Sequence, residues 1–210
     1  QTDHERFTYY LNRVDPYLNQ NVFEHPFLRQ RCVIPGKDVS ERELRRAVAA
    51  YYGMVETIDD HYQSVLSALE HVGQNLDEWI IIYTSDHGEM LGQHGIWEKQ
   101  KFFEASARVP LIIRFPQHFE PITVRENVNL CDLFATLCDL VDVPCPSGLD
   151  SRSLVSLMTG QNDDWSNETV SQFGSTNLMI KQDHLKYQYY GRNGPEVLFN
   201  LKIVPSESKN

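Results

Sequence analysis

The sequence lacks several features that would assign a chain of 210 residues to a specialised class. No apolar stretch approaches the roughly 20 residues that a membrane-spanning helix needs, so we expect no such helix. Cysteine is scarce, and the four cysteines form no Cys-x-x-Cys pair and are too few for a disulfide framework. Internal repeats and low-complexity runs are absent. The remaining composition, 41% hydrophobic and 23% charged, is typical of an ordinary globular protein.

Acidic residues outnumber basic residues in the sequence. The chain has 19 Lys and Arg against 29 Asp and Glu, a formal net charge of −10. This balance argues against a nucleic-acid partner, because phosphate binding requires excess basic residues. It would also repel an anionic substrate at long range, so a site for one must supply local positive charge. No basic and apolar leader is visible, and the sequence leaves cytoplasmic and exported locations open.

A long amphipathic helix is predicted to begin after Ser40. The pattern Ser40-x-x-Glu43 fits a capping box, in which each residue satisfies a free backbone N–H of the other. Apolar residues then recur at spacings of three and four from Leu44 to Leu69, and Gly73 offers a C-terminal cap. We expect this apolar stripe to pack against a sheet.

Two apolar runs, 79–84 and 109–115, predict strands, the first of the kind that is buried on both faces in a parallel sheet. The glycine-punctuated loop between them is too long for a simple connection, and such loops are usually functional. A short helix is predicted over 130–141.

The sequence pattern changes after residue 160. Short strand-like runs separated by turn residues occupy 169–173, 177–181, 186–190 and 197–201. We therefore predict an α/β fold in which residues 1–160 form part of a mixed sheet flanked by helices. Residues 161–210 are predicted to form a small antiparallel β subdomain.

The first predicted strand ends in Ser85-Asp86-His87-Gly88, where open α/β sheets bind ligands. Consecutive side chains diverge at a strand end, but Gly88 permits a turn that lets Asp86, His87 or both reach a common ion. By themselves these residues favour a structural turn with a capping aspartate. The preceding strand, and Lys99 thirteen residues after Asp86, shift the interpretation towards metal binding.

The stretch SDHGEMLGQHGIWEKQKFFEASARVPLI resembles the sulfatase family of the alkaline phosphatase superfamily, and its FFE-SARVPLI part is most similar to the choline-sulfatase branch. The resemblance covers nearly the whole chain from about Ser40 onward. Four further segments of the chain resemble the family: the predicted helices 51–60 and 130–142, a turn similar to DGRSL at 149–154, and a strand similar to ELYDL at 196–201.

This resemblance implies roles for individual residues. Asp86 and His87 match the family's second pair of metal ligands, and Lys99 matches the catalytic lysine that contacts the sulfate oxygens, with Lys101 as the alternative if the loop register shifts. His94 is a candidate contact to the substrate or to the ligands, although a packed loop histidine is the plainer interpretation. His25 superficially resembles a family His-Pro contact but sits too near the long helix for that role.

The implied cofactor is a divalent metal. The resemblance favours Ca²⁺, because a histidine at this position is acceptable in the choline-sulfatase and phosphonate-hydrolase branches. Mn²⁺ is second, because an imidazole ligand suits Mn²⁺ or Zn²⁺ better than it suits an all-oxygen Ca²⁺ site.

The family nucleophile, a formylglycine made from the cysteine of Cys-x-Pro-x-Arg, has no match. Cys145-Pro146-Ser147-Gly148-Leu149 has serine and leucine in place of the proline and arginine. We therefore interpret the chain as the C-terminal half of a sulfatase that acts on a small sulfated substrate, with the missing N-terminal half as its partner and with neither nucleic acid nor membrane. Alone, this chain should be inactive. A phosphonate monoester or phosphodiester hydrolase of the same superfamily, and a non-catalytic sulfatase-like fragment, are the alternatives.

Overall fold

The computed structural model describes residues 2–11, 27–28, 32–33, 37–161 and 164–208. Backbone contacts divide the chain into two units, Gln1–Ile113 and Arg114–Asn210. The fold is mixed α/β with a small antiparallel sheet, which confirms the predicted fold class. No helix in the described part of the chain is both long enough and apolar enough to cross a bilayer.

The first unit is dominated by the predicted long helix, α2 (Glu41–His71). The capping box at its start is present: the Ser40 hydroxyl accepts the Glu43 N–H at 3.3 Å, and the Glu43 carboxylate accepts the Ser40 N–H at 2.9 Å. At its end Gly73 is left-handed at φ 86°, and Gln74 N–H donates to the Leu69 carbonyl at 3.0 Å. Both predicted ends of the helix are confirmed.

A second helix, α1 (Asp3–Leu11), packs on α2 and was not predicted. Its buried Arg6 donates to Thr57 at 3.1 Å and pairs with Glu56 at 3.3 Å and with Asp60. The missed signal is Thr2-x-x-Glu5, a second capping box, in which Thr2 N–H donates to the Glu5 carboxylate at 2.8 Å.

The apolar stripe of α2 is only partly covered. Leu44 and Val48 are buried, whereas Ile58 and Val65 are 55% and 59% exposed. The prediction that the whole stripe packs against a sheet is therefore wrong for the described residues. The reason is length: a helix of 31 residues extends about 46 Å. The adjoining strands have four residues each and reach only about 13 Å.

Those strands are β1 (Ile81–Thr84) and β2 (Leu111–Arg114), which are neighbours in a two-stranded sheet. Tyr83 of β1 contacts Tyr62 of α2 edge to face, with ring centroids 5.3 Å apart. β1 is half-buried and Ile112 is 60% exposed, so the described residues do not bury this sheet on both faces. Short helix α3 (Glu104–Ala107) precedes β2.

The second unit contains helices α4 (Asp132–Leu140) and α5 (Val155–Met158) and the predicted antiparallel subdomain. Its strands β3 (Glu168–Phe173), β4 (Asn177–Gln182), β5 (Leu185–Tyr190) and β6 (Glu196–Asn200) pair in chain order. All four predicted strands are confirmed to within one residue. The register Met179↔Gln188↔Val197 places these buried residues on one face.

Polar side chains join α4 to this sheet. The buried Asp132 carboxylate accepts the N–H groups of Asn129 at 2.8 Å and Arg152 at 2.9 Å. The Asn129 amide donates to the Val170 carbonyl of β3 at 2.7 Å. The helix therefore groups with the sheet in one unit, and the domain boundary after residue 160 stays a prediction about the whole protein.

Candidate active site

Asp86 and His87 follow β1 directly, and their side chains lie side by side. The Nε2 atom of His87 is 3.6 Å from Oδ2 of Asp86, and both side chains reach solvent, at 42% and 85% exposure respectively. The local turn is held by two hydrogen bonds, from His87 N–H to Asp86 Oδ1 at 2.9 Å and from the Ser85 hydroxyl to the His87 carbonyl at 2.9 Å. The strand end thus presents a carboxylate and an imidazole together.

The hydrogen bonding of His87 suits a metal ligand. Its Nδ1 lies 2.8 Å from the Gly88 carbonyl, which can only accept, so Nδ1 carries the proton in this contact. In the neutral ring Nε2 then presents a lone pair towards the Asp86 carboxylate. Two acceptors that face each other in this way are stabilised by a cation between them. The pair therefore fits a divalent metal.

Gly88 fixes the turn against α3. Its N–H donates to the Ser106 carbonyl at 2.8 Å. A Cβ atom at this position would lie 2.0 Å from the Ala105 carbonyl oxygen, a distance that no side chain tolerates. Glycine is thus required here by close approach of two backbones, a reason that the sequence did not reveal.

The loop after Gly88 closes on itself just before Lys99. Met90 N–H donates to the Glu98 carbonyl at 3.0 Å, and Glu98 N–H donates to the Glu89 carboxylate at 2.6 Å. The Ser106 hydroxyl donates to the Lys99 carbonyl, which also accepts the Lys101 N–H at 2.9 Å. Lys99 is therefore held through its backbone on both sides.

The two candidate lysines occupy different environments. The Lys99 side chain is exposed, so its ammonium is available to an anion. Lys101 is only 8% exposed, and its ammonium lies 4.0 Å from the centroid of the Phe27 ring. Among the described residues no ion pair links Lys99 to Asp86. The two segments are connected through Ser106 of α3, whose hydroxyl donates to the Lys99 carbonyl and whose carbonyl accepts the Gly88 N–H.

His94 is buried, at 1% exposure, with its ring 4.3 Å from that of Phe103. Its backbone is left-handed at φ 55°. This geometry corresponds to a packed loop histidine that contacts Phe103, and any contact with a substrate stays a prediction. His25 lies outside the described residues.

The described ranges contain no group of three or more His, Cys, Asp or Glu side chains that could hold an ion. Asp86 and His87 are therefore two adjacent side chains without a third candidate ligand beside them in these ranges, and their role as metal ligands stays a prediction. Sequence reasoning missed Glu89 and Ser106, which hold the loop. Nothing in their residue types separates them from other surface Glu and Ser residues, and only their place inside the matched stretch could have pointed to them.

Comparison with known proteins gives two family matches. The sulfatase family model matches residues 4–143. The model described as N-sulphoglucosamine sulphohydrolase, C-terminal, matches residues 92–210. Together they include both units and the whole candidate site.

Two individual relatives are also sulfatases. The chain is 32% identical over 185 residues to a choline-sulfatase of Rhizobium meliloti, covering 85% of this chain and 36% of that protein. It is 31% identical over 181 residues to an arylsulfatase of Clostridium perfringens, covering 82% of this chain and 37% of that protein. The chain thus spans a little over a third of the length of these relatives.

A solved structure extends the comparison to the fold. The phosphonate monoester hydrolase of Agrobacterium radiobacter superposes with a TM-score of 0.74 and 26% identity, over 96% of this chain and 46% of that one. Its likeness includes the α/β unit and the small antiparallel sheet. Because the sulfatase model matches two thirds of the sequence, across the Asp86–His87 turn and Lys99, the chain belongs to the sulfatase family.

Proposed function

We propose that the protein containing this chain is a sulfuric ester hydrolase acting on a small sulfated substrate. One observation carries the proposal: an exposed carboxylate and imidazole face each other 3.6 Å apart at a strand end. The same loop holds the backbone of Lys99 while leaving its ammonium exposed. Cation ligands beside an accessible ammonium form a site for an oxyanion ester.

In this proposal Asp86 and His87 are two of the ligands of a divalent metal. The bound cation supplies Lewis acidity that polarises the sulfuryl group. Ca²⁺ is our first choice, since the carboxylate is a hard oxygen ligand, and Mn²⁺ is the second, since it accepts imidazole readily. The Gly88 carbonyl contributes by accepting a hydrogen bond from Nδ1–H of His87, which keeps Nε2 directed to the same side as Asp86.

Lys99 is proposed as the catalytic residue of this chain. Its ammonium binds the sulfate oxygens and offsets the negative charge that develops on the bridging oxygen as the ester bond breaks. The net charge of −10 makes this local cation necessary, because the field of the chain as a whole repels an anion. His94 is proposed to support the loop by packing its buried ring against Phe103, four residues after Lys99.

The remaining parts are proposed to come from an N-terminal half of the same fold. That half would supply the formylglycine nucleophile and the other metal ligands, consistent with relatives of which this chain spans only 36% and 37%. The isolated chain is therefore expected to hydrolyse neither sulfate nor phosphate esters.

A phosphonate monoester or phosphodiester hydrolase is the second candidate, favoured by the likeness to the phosphonate monoester hydrolase of Agrobacterium radiobacter. The two activities differ in the ester that reacts fastest. We expect the full-length protein to hydrolyse 4-nitrophenyl sulfate with a higher kcat/KM than 4-nitrophenyl phenylphosphonate or bis(4-nitrophenyl) phosphate. The reverse order would establish the second candidate.

A non-catalytic role is tested separately by metal binding. Titration of the full-length protein with Ca²⁺ and Mn²⁺ should show binding that weakens in Asp86→Ala. An absence of binding together with an inactive full-length protein would favour a sulfatase-like protein without catalysis.

A further inference from the structure

We propose that Ser106 is a positioning residue for Lys99, joining the lysine to the Asp86–His87 turn. This inference rests on the proposed function, in which Lys99 contacts the substrate anion. Ser106 is buried, at 3% exposure, in the single turn of α3, so it cannot touch a substrate itself. It can act only through the residues that it holds.

Ser106 makes one hydrogen bond to each part of the site. Its hydroxyl donates to the Lys99 carbonyl. Its backbone carbonyl accepts the N–H of Gly88 at 2.8 Å, next to the two ligands. One residue therefore sets the spacing between the segment that carries the lysine and the turn that carries the ligands.

The hydroxyl contact matters because the rest of the lysine side chain is flexible. Lys99 is exposed, and its ammonium stands at the end of four methylene groups, so its position depends on where the backbone holds the Cα atom. Glu89 and Met90 fix the chain before Lys99 through Glu98. The Ser106 hydroxyl fixes the chain after it, at the carbonyl that also accepts the Lys101 N–H at 2.9 Å.

The two contacts of Ser106 can be separated by a single substitution. Ser106→Ala removes the hydroxyl and its bond to Lys99, whereas the bond from Gly88 uses the backbone carbonyl and remains. The metal pair should therefore keep its geometry while the lysine segment loosens. A displacement of about 1 Å at a catalytic group lowers turnover by up to about 10²-fold.

The kinetic test is a double-mutant cycle in the full-length protein at saturating metal. We expect Ser106→Ala to lower kcat by roughly 10-fold or more without changing metal affinity. In a Lys99→Ala background the same substitution should change kcat by less than about 2-fold, because the group that it positions is gone. An equal loss in both backgrounds would overturn the proposal.

The matched control is Thr136→Val, which removes a buried hydroxyl that donates to the Asp132 carbonyl at 2.6 Å in the other unit. It should lower the melting temperature and leave kcat at saturating metal within about 2-fold of the starting protein. If Thr136→Val lowers kcat as much as Ser106→Ala does, the effect of Ser106 is general destabilisation and the proposal fails.

Amide hydrogen exchange on the same full-length variants provides a readout independent of turnover. Ser106→Ala should accelerate exchange at the Lys101 N–H, which shares the Lys99 carbonyl, and should leave the Gly88 N–H protected. Unchanged exchange at Lys101 would overturn the positioning role. If the starting protein hydrolyses no sulfate ester, the proposed function fails instead, and the exchange result still decides whether Ser106 holds Lys99.

Discussion

The ammonium of Lys101 lies 4.0 Å from the centroid of the Phe27 ring, beneath the surface, although Lys101 is only two residues from the exposed Lys99. A cation over an aromatic face is held by the ring quadrupole, and the interaction is strongest where water is excluded. Lys101 is thereby occupied in packing, which leaves Lys99 as the better candidate for an anion contact.

The first prediction separates these two lysines. In the full-length protein Lys99→Ala should lower kcat by roughly 10²-fold, the scale expected when one preorganised electrostatic contact is lost. Lys101→Ala should mainly lower the melting temperature, because it removes a buried side chain and its contact with Phe27. Kinetics at saturating metal and thermal unfolding of both variants provide the comparison. Near-normal turnover in Lys99→Ala with collapse in Lys101→Ala would assign the role to Lys101.

The second prediction concerns the metal pair. Asp86→Ala should reduce the affinity for Ca²⁺ or Mn²⁺ and the turnover together, and excess metal should restore part of the activity. A chelator should inactivate the starting protein reversibly. Lys99→Ala serves as the control, since it should retain metal binding. A chelator-resistant activity that is unaffected by Asp86→Ala would contradict the role of this pair.

The third prediction compares two glycines of the first unit. Gly88→Ala should destabilise by about 1–3 kcal/mol or more, because the new methyl group meets the Ala105 carbonyl at 2.0 Å and the backbone must move. Gly53→Ala, in the interior of α2, meets nothing closer than 3.9 Å and should stabilise by about 0.5–1 kcal/mol. Urea unfolding of both variants measures the difference. Equal effects of the same sign would show that Gly88 is not in close contact with α3.

The fourth prediction concerns a buried ion pair in the second unit. The Lys186 ammonium lies 3.0 Å from the Glu207 carboxylate, with both side chains at most 3% exposed, and Gln188 donates to the same oxygen at 3.3 Å. Glu207→Ala should cost about 3–5 kcal/mol, because it leaves a buried cation without its carboxylate. The pair Arg45–Glu41, whose side chains are 35% and 53% exposed, is the control, and Glu41→Ala should cost less than about 1 kcal/mol. Comparable losses in the two variants would mean that water reaches Lys186.

Several elements were predictable from sequence because local chemistry specifies them. The ends of α2 follow from the Ser40–Glu43 capping box and the left-handed Gly73, both of which involve residues that are close in the chain. The four strands of the small sheet were recognisable from their strand-like residues and from the turn residues that separate them. The site candidates came from a continuous stretch of sequence around Asp86 and Lys99, whose family is confirmed by the sulfatase model.

Sequence by itself thus determined the ends of α2, the positions of the four strands of the small sheet and the family of the chain, since each depends on short-range patterns. Only the tertiary structure decided that Lys101 packs on Phe27 while Lys99 is exposed, that Gly88 must be glycine because Ala105 lies against it, and that Ser106 joins the two parts of the loop. These are contacts between residues 7 to 74 positions apart or between closely packed backbones. Residue type and spacing do not encode such contacts, because they arise when the chain folds back and excludes water from a shared interior.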